Sequence, residues 1–288
     1  MQRFHFDSTR SVEEALRYLS EKGERCRVIA GGTDLIPKLR LDDIHPEFIL
    51  NILEIEELRG IREEENSITI GPTTTFTEVI ESKILSHHFP CLIQAAVSVG
   101  GTQIRNRGTI GGNIANASPA ADVLPAILAL DGDIELRSKA SGARTLPLAK
   151  AIEGPYRPLI RSDEILTRII IRKLEGKTRT AFEKLGHRKA MARAQMNLSV
   201  VLRLDKEDKI LEGRIVPGAV LPVARRMKDA EKVLLGKPPE ASLIEASVEA
   251  LADEVSQESE VRLPEYKVPV LKNLARRLLK QCLLKRFE

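Results

Sequence analysis

Aromatic residues make up 3% of this 288-residue chain and tryptophan is absent, so base-stacking platforms have little material and single-stranded nucleic acid is a poor ligand. An excess of one charge is missing too. The 45 basic and 41 acidic residues leave a formal +4 and are mixed along the sequence, which excludes the concentrated patch of a nucleic-acid binder. Cys26, Cys91 and Cys282 are isolated and odd in number, giving neither a disulfide framework nor a CxxC metal pair. Any iron–sulfur cluster is therefore expected on another chain. No apolar run approaches the ~20 residues of a spanning helix, and Met1 to Asp7 has no apolar h-region, so no integral membrane segment and a cytoplasmic location are expected. His45, His87 and His88 have no carboxylate or cysteine at ligand spacing, which argues against a metal site. The serines lack a nucleophile-elbow context. No strand is followed by GxGxxG, and no GxxxxGK[ST] occurs, so a Rossmann unit and a P-loop NTPase both lack their defining loop.

What is present is a hydrophobic content of 42%, enough for a core, at a length that suits two lobes or one lobe of subdomains. Two glycine-rich segments stand out: Ala30-Gly31-Gly32-Thr33-Asp34-Leu35 and Thr109-Ile110-Gly111-Gly112-Asn113. Glycine lacks a Cβ and tolerates positive φ, so successive N–H groups can converge on an anion. A single glycine pair most often marks a tight strand-to-helix turn. Two such segments flanked by Thr, Asp and Asn point to a ligand, with one pyrophosphate held from both sides.

The pattern of elements is mixed. Ser11 and Glu14 form a capping-box pattern ahead of Val12, Ala15, Leu16 and Leu19, and Gly23 supplies the stop, which predicts a helix over 11–22. Cys26 to Ala30 reads as a buried strand entering the first glycine pair, and the first seven residues as a short strand. Strands are predicted at Phe48 to Ile52 and Ser67 to Ile70, helices near 75–82 and 89–99, and a buried helix from Ala120 to Leu130. Asp131-Gly132-Asp133 turns into a strand at Ile134 to Arg137. Residues 141–162 read as loop, with Gly154 to Pro158 unable to continue a helix, and Ile165 to Ile171 as strand. Beyond a boundary near Gly176-Lys177, Thr180 to Leu185, Leu198 to Leu204 and Ile210 to Pro217 read as a small sheet covered by helices near 226–235, 240–256 and 268–286. The last of these has helical apolar spacing with charge opposite, a docked amphipathic helix with membrane or partner binding as the lesser alternative. This order is α+β.

The first segment, extended through Ile36-Pro37, and the run Gln103-Ile104-Arg105-Asn106-Arg107-Gly108 into Thr109 to Asn113 and on through Ser118-Pro119-Ala120-Ala121-Asp122 resemble the two FAD motifs of the medium subunit of molybdenum hydroxylases. These are the flavoproteins of the xanthine dehydrogenase and carbon monoxide dehydrogenase type. Gly154 to Arg157, Asp163 to Leu166, Phe182 to Met191 and Tyr266 to Val268 resemble the same family, so the likeness spans nearly the whole chain. It implies a p-cresol-methylhydroxylase-type FAD-binding domain over 1–176, with subdomains of about 1–55 and 56–176. A C-terminal medium-subunit domain over 177–288 would follow, with a three-stranded antiparallel sheet and helices.

The resemblance assigns FAD to both glycine segments: Ala30, Gly31, Gly32, Thr33, Asp34 and Leu35, then Thr109, Ile110, Gly111, Gly112 and Asn113, gripping the pyrophosphate through backbone N–H groups. The Thr33 and Thr109 hydroxyls can add hydrogen bonds. Val28 and Ile29 would line the site, and Val99, Leu166 and Lys184 fall on positions that contact FAD. Asp122 matches an acid at the adenosine end, as an acceptor for ribose hydroxyls; the N-cap that its position before an apolar helix also allows is the lesser alternative, and both can hold at once. Lys184 equally suits a surface strand lysine. At Ala192-Arg193-Ala194, where relatives carry an aromatic or apolar residue near the flavin, Arg193 could cover the ring, pair with a partner or face solvent. Near the ring it would favour anionic reduced flavin.

The implied function is electron transfer without substrate hydroxylation, so no catalytic side chain is assigned. A large molybdopterin-binding subunit would oxidise substrate, a small subunit with two [2Fe–2S] clusters would relay electrons, and the flavin would pass them to NAD or another acceptor. The alternatives are a stand-alone FAD oxidoreductase of the same fold and a flavin-free assembly protein.

Overall fold

The computed structural model describes residues 3–188, 191–258 and 264–283. The described residues of 1–82, 101–117 and 132–171 form one compact unit, and those of 83–100, 118–131 and 172–288 form a second.

The first unit is built on two sheets. In one, His5–Ser8 and Cys26–Ile29 each pair in parallel with a central strand, Phe48–Asn51. Helix Val12–Lys22 follows the first strand. Its N-cap Ser11 Oγ accepts the Glu14 N–H at 3.2 Å, while Glu14 takes the Thr9 hydroxyl at 2.7 Å instead of closing the second half of the capping box. Gly23, at φ 53, ends the helix. Val12, Ala15, Leu16 and Leu19 then bury against Cys26, Leu50, Ile52 and Leu58, as their 3–4 spacing requires. The strand into the first glycine pair differs from its expected burial. Only Cys26 is enclosed, and Arg27 and Val28 are exposed, because Cys26–Ile29 is an edge strand and Phe48–Asn51 takes the centre.

The other sheet has five strands in the order Ile61–Glu63, Ser67–Ile70, Glu164–Arg172, Asp133–Ser138 and Gly142–Pro147. Residues 141–162 are thus not the expected loop: Gly142–Pro147 pairs antiparallel with Asp133–Ser138, and Ile152–Gly154 makes a small hairpin with Arg157–Pro158. The edge strand is exposed along nearly its whole length, so it carries no apolar alternation to read. Helix Phe76–Glu81, capped by a full Thr75/Glu78 box, and the short helices Thr102–Arg105 and Ile110–Asn116 complete the unit.

The second unit centres on an antiparallel sheet of Lys177–Gly186, Ala194–Leu204 and Ile210–Gly218, with Ala194–Leu204 in the middle. This is the small three-stranded sheet expected from sequence. Helices Pro90–Ser98 and Val123–Ala129 pack on it, as do Lys228–Leu234 and Pro264–Leu283, with Ala241–Ser256 against the last two. Helix Lys83–His88, with no counterpart in the sequence reading, precedes Pro90–Ser98. The C-terminal helix begins four residues earlier than expected, at Pro264, and accommodates Pro269; expected residues 284–286 lie outside the described ones. Its apolar face, from Leu271 to Leu283, is spent in the core of its own unit with Met196, Leu198, Val200 and Leu251. No helix among the described residues is long and apolar enough to cross a membrane.

Candidate cofactor site

The first glycine segment leaves the edge strand at Ile29 and turns into helix Leu35–Arg40. Gly32 sits at φ 72, the left-handed region where a Cβ is strained. Ile36 N–H returns to Gly32 O at 2.9 Å. Ahead of it, the N–H groups of Gly31, Gly32, Thr33 and Asp34 donate to no acceptor among the described residues. Four consecutive open donors on a turn, three on half-buried residues and the last on exposed Asp34, suit an anion nest. Asp34 is exposed and its carboxylate makes no cap bond to the helix.

Gly31 answers a second demand. A Cβ there would stand 1.9 Å from Arg107 O and 2.9 Å from Gly108 Cα, so the two glycine-rich segments touch, backbone on backbone. Gly31 is thus a packing glycine, and the donors around it stay open.

The second segment treats its donors differently. Thr109 is the N-cap of Ile110–Asn116, and its Oγ accepts the Gly112 N–H at 3.1 Å. Ile110 N–H goes to Thr74 O at 3.0 Å, Gly111 N–H to Pro72 O at 2.9 Å, and Asn113 N–H to Thr109 O at 3.1 Å. The expected backbone grip by this segment therefore meets four N–H groups, Ile110 to Asn113, already spent within the protein. What it still offers is the Thr109 N–H, which donates to no acceptor among the described residues, the Thr109 hydroxyl proton and the Asn113 side chain, whose Oδ1 is buried without a hydrogen-bond partner among the described residues. Gly111 is again a packing glycine, since a Cβ would come within 2.3 Å of Pro72. Also in this unit, Ile29 is half-buried with its Cδ1 beside Gly32, Val28 is exposed, and Leu166 is buried on its sheet.

Val99, Asp122 and Lys184 belong to the second unit. Val99 is half-buried just past helix Pro90–Ser98. Asp122 precedes Val123–Ala129 yet makes no cap bond, so the N-cap alternative fails. Its Oδ2 instead lies 2.6 Å from Lys184 Nζ, and its Oδ1 accepts from Asn197 Nδ2 at 3.1 Å. Lys184 Nζ also donates to Ser98 O at 2.8 Å. The side chains of Lys184 and Asp122 are only 10% and 8% exposed, so Lys184 is not a surface lysine. Burial pushes the Asp122 carboxyl up from its ordinary value, and the charge and hydrogen bond of Lys184, with Asn197 and Ser98, offset this only in part.

Asn197 was missing from the candidate residues. It is fully buried in the central strand, donates to Ala121 O as well as Asp122, and faces Gly218 across the ladder. A Cβ on Gly218 would meet Asn197 Oδ1 at 2.2 Å. The available signal was a lone amide at an inward position of Met196-Asn197-Leu198, a place where polar side chains need a partner. Arg193 is exposed, and Lys189 and Ala190 of the family-like run lie outside the described residues.

The open N–H row, a hydroxyl donor and an orphaned amide acceptor together suit a pyrophosphate carrying hydroxylated groups, so the residues present fit FAD. Comparison with known proteins agrees. Residues 2–173 match the family described as the FAD binding domain in molybdopterin dehydrogenase, and residues 181–282 the carbon monoxide dehydrogenase flavoprotein C-terminal domain. Similar proteins include the nicotinate dehydrogenase FAD-subunit of Eubacterium barkeri, 33% identical with 88% of this chain and 87% of that one covered. The carbon monoxide dehydrogenase medium chain of Hydrogenophaga pseudoflava is 34% identical, with 86% and 85% covered. A solved structure of carbon monoxide dehydrogenase from that organism, lacking the Mo-pyranopterin moiety of its cofactor, superimposes with a TM-score of 0.91 at 32% identity, covering 98% of this chain and 97% of the other. The chain belongs to the family of FAD-binding medium subunits of molybdenum hydroxylases, oxidoreductase flavoproteins whose fold is the one expected from sequence.

Proposed function

We propose that this chain is the electron-transfer subunit of a molybdenum dehydrogenase complex. It would accept electrons from the two [2Fe–2S] clusters of a small partner subunit and deliver them to NAD or another acceptor, while a large molybdopterin-binding subunit oxidises substrate. Bound FAD supplies redox chemistry that exchanges one or two electrons. The chain's own residues bind and orient. The Gly31 to Asp34 N–H groups and the Thr109 hydroxyl hold the pyrophosphate, and Asn113 Oδ1 accepts from a ligand hydroxyl. By resemblance, Val28, Ile29, Ala30, Leu35, Ile110, Gly111, Gly112, Leu166, Val99, Asp122 and Lys184 complete the cofactor's surroundings. We assign 1–176 to the FAD-binding domain, with subdomains of about 1–55 and 56–176, and 177–288 to the C-terminal domain, in a cytoplasmic complex.

The observation that carries the reading is the row of four unspent backbone donors at Gly31 to Asp34, in a segment that also bears the family motif. Purification from the native source tests it: the flavin absorbance bands should appear, with two further chains carrying molybdenum and iron. A colourless protein that takes up no added FAD supports an assembly role instead. A yellow protein that purifies alone and turns over substrate points to a stand-alone enzyme.

A further inference from the structure

Lys38, on the helix after the first glycine segment, donates from Nζ to Asn116 Oδ1 at 3.0 Å, at the end of the helix after the second. The same ammonium lies 5.0 Å from the centre of the Tyr156 ring. Tyr156 donates its backbone N–H to Ala117 O at 2.9 Å, the residue following Asn116. Tyr156 and Ala117 both hold left-handed backbone, at φ 58 and 45. That conformation is costly for a residue with a Cβ and persists where the surroundings over-determine it. An amide oxygen and a π face both attract the ammonium without neutralising it.

The placement is symmetrical along the chain. Lys38 lies seven residues after Gly31, and Asn116 seven after Thr109. Gly31 against Arg107 O joins the two segments at their near ends, and Lys38 with Asn116 and Tyr156 joins them at their far ends. One point of attachment permits rocking; two fix the relative attitude of the donors. We propose that Lys38, Asn116 and Tyr156 form a clasp that sets the two glycine segments against each other, acting as positioning residues for the pyrophosphate of FAD. The clasp rests on the reading of these segments as the FAD cradle. Its effect is pre-organisation: it keeps the open Gly31 to Asp34 donors and the Thr109 hydroxyl in one geometry before the ligand arrives, and so slows release.

The test follows FAD release from the full-length holoprotein by the rise in flavin fluorescence, beside thermal unfolding of the same variants after FAD removal. Lys38→Met and Asn116→Ala should each speed release about tenfold, the double variant should be no faster than either single one, and Lys38→Arg should restore slow release. The flavin-free unfolding midpoints should fall by no more than a few degrees, the weight of one part-buried hydrogen bond. Release within about twofold of the parent in both single variants would overturn the clasp. So would faster release matched by a larger fall in flavin-free stability, with the two substitutions additive. A parent protein that binds no FAD would sink the cradle reading itself, an outcome distinct from both.

Discussion

Lys184 Nζ and Asp122 Oδ2 stand 2.6 Å apart with both side chains about nine-tenths enclosed. A pair this buried pays desolvation on both ions, so its presence says little about net stability, but removing one member leaves the other charge uncompensated. Lys184→Met should therefore cost about 3–5 kcal/mol in urea unfolding. The double variant Lys184→Met/Asp122→Leu should recover much of that loss, because no lone charge remains. A single variant within about 0.5 kcal/mol of the parent would show that the pair carries no weight.

Gly31 and Gly142 separate two reasons for a glycine. At Gly31 a Cβ would stand 1.9 Å from the Arg107 carbonyl oxygen, whereas at Gly142, with φ 69, nothing lies within 4 Å. Gly142→Ala meets only the left-handed backbone penalty, about 1 kcal/mol. Gly31→Ala must push backbone from backbone, costing about 1–3 kcal/mol or more, and should weaken FAD binding as the segments part. Equal stabilities for the two variants, by chemical denaturation, would refute this account.

Local chemistry was legible where it is self-contained. The Ser11 cap and Gly23 stop bracketed Val12–Lys22, and the strand expected at Ser67 to Ile70 lies at Ser67–Ile70. Lys83–His88 escaped because its six residues barely exceed one turn and follow directly on Ser82, which ends helix Phe76–Glu81. Gly142–Pro147 escaped because its register comes from the partner strand and not from its own pattern. The same divide runs through the site. The glycine segments announced themselves locally, yet which of their N–H groups stay open depends on Pro72 and Thr74, whose carbonyls take the Gly111 and Ile110 N–H groups. The bond from Asn197 to Asp122 spans 75 residues and is a property of tertiary packing alone.

Glu164 gives the molecule an acid limit. Burial pushes its carboxyl up, but hydrogen bonds from Arg144 and the Arg161 N–H, with the charges of both arginines, outweigh this and hold it below its ordinary 4.5. A folded-state value depressed below the unfolded one contributes stability that is present above about pH 4.5 and lost as the pH falls through the depressed value. Urea midpoints should thus fall as the pH drops below about 4.5, and Glu164→Gln should flatten that part of the profile. The substitution should cost most near neutral pH, where it removes an ionised acceptor. An unchanged acid slope in Glu164→Gln would assign the limit to other carboxylates.

Thr109 joins an observed duty to a proposed one. Its Oγ accepts the Gly112 N–H at 3.1 Å as an N-cap, and the residue is buried; the proposed function gives its hydroxyl proton to a phosphate oxygen. Thr109→Ser keeps acceptor and donor, and Thr109→Val loses both while preserving shape. Thr109→Val should cost about 1 kcal/mol in the flavin-free protein through the lost cap, and should weaken FAD binding beyond that loss. Thr109→Ser should match the parent in FAD affinity. Calorimetric titration of FAD into each flavin-free variant, read beside its unfolding free energy, checks this. If Thr109→Val loses stability but binds FAD as tightly as Thr109→Ser, the hydroxyl is a cap alone and the pyrophosphate rests on the Gly31 to Asp34 donors.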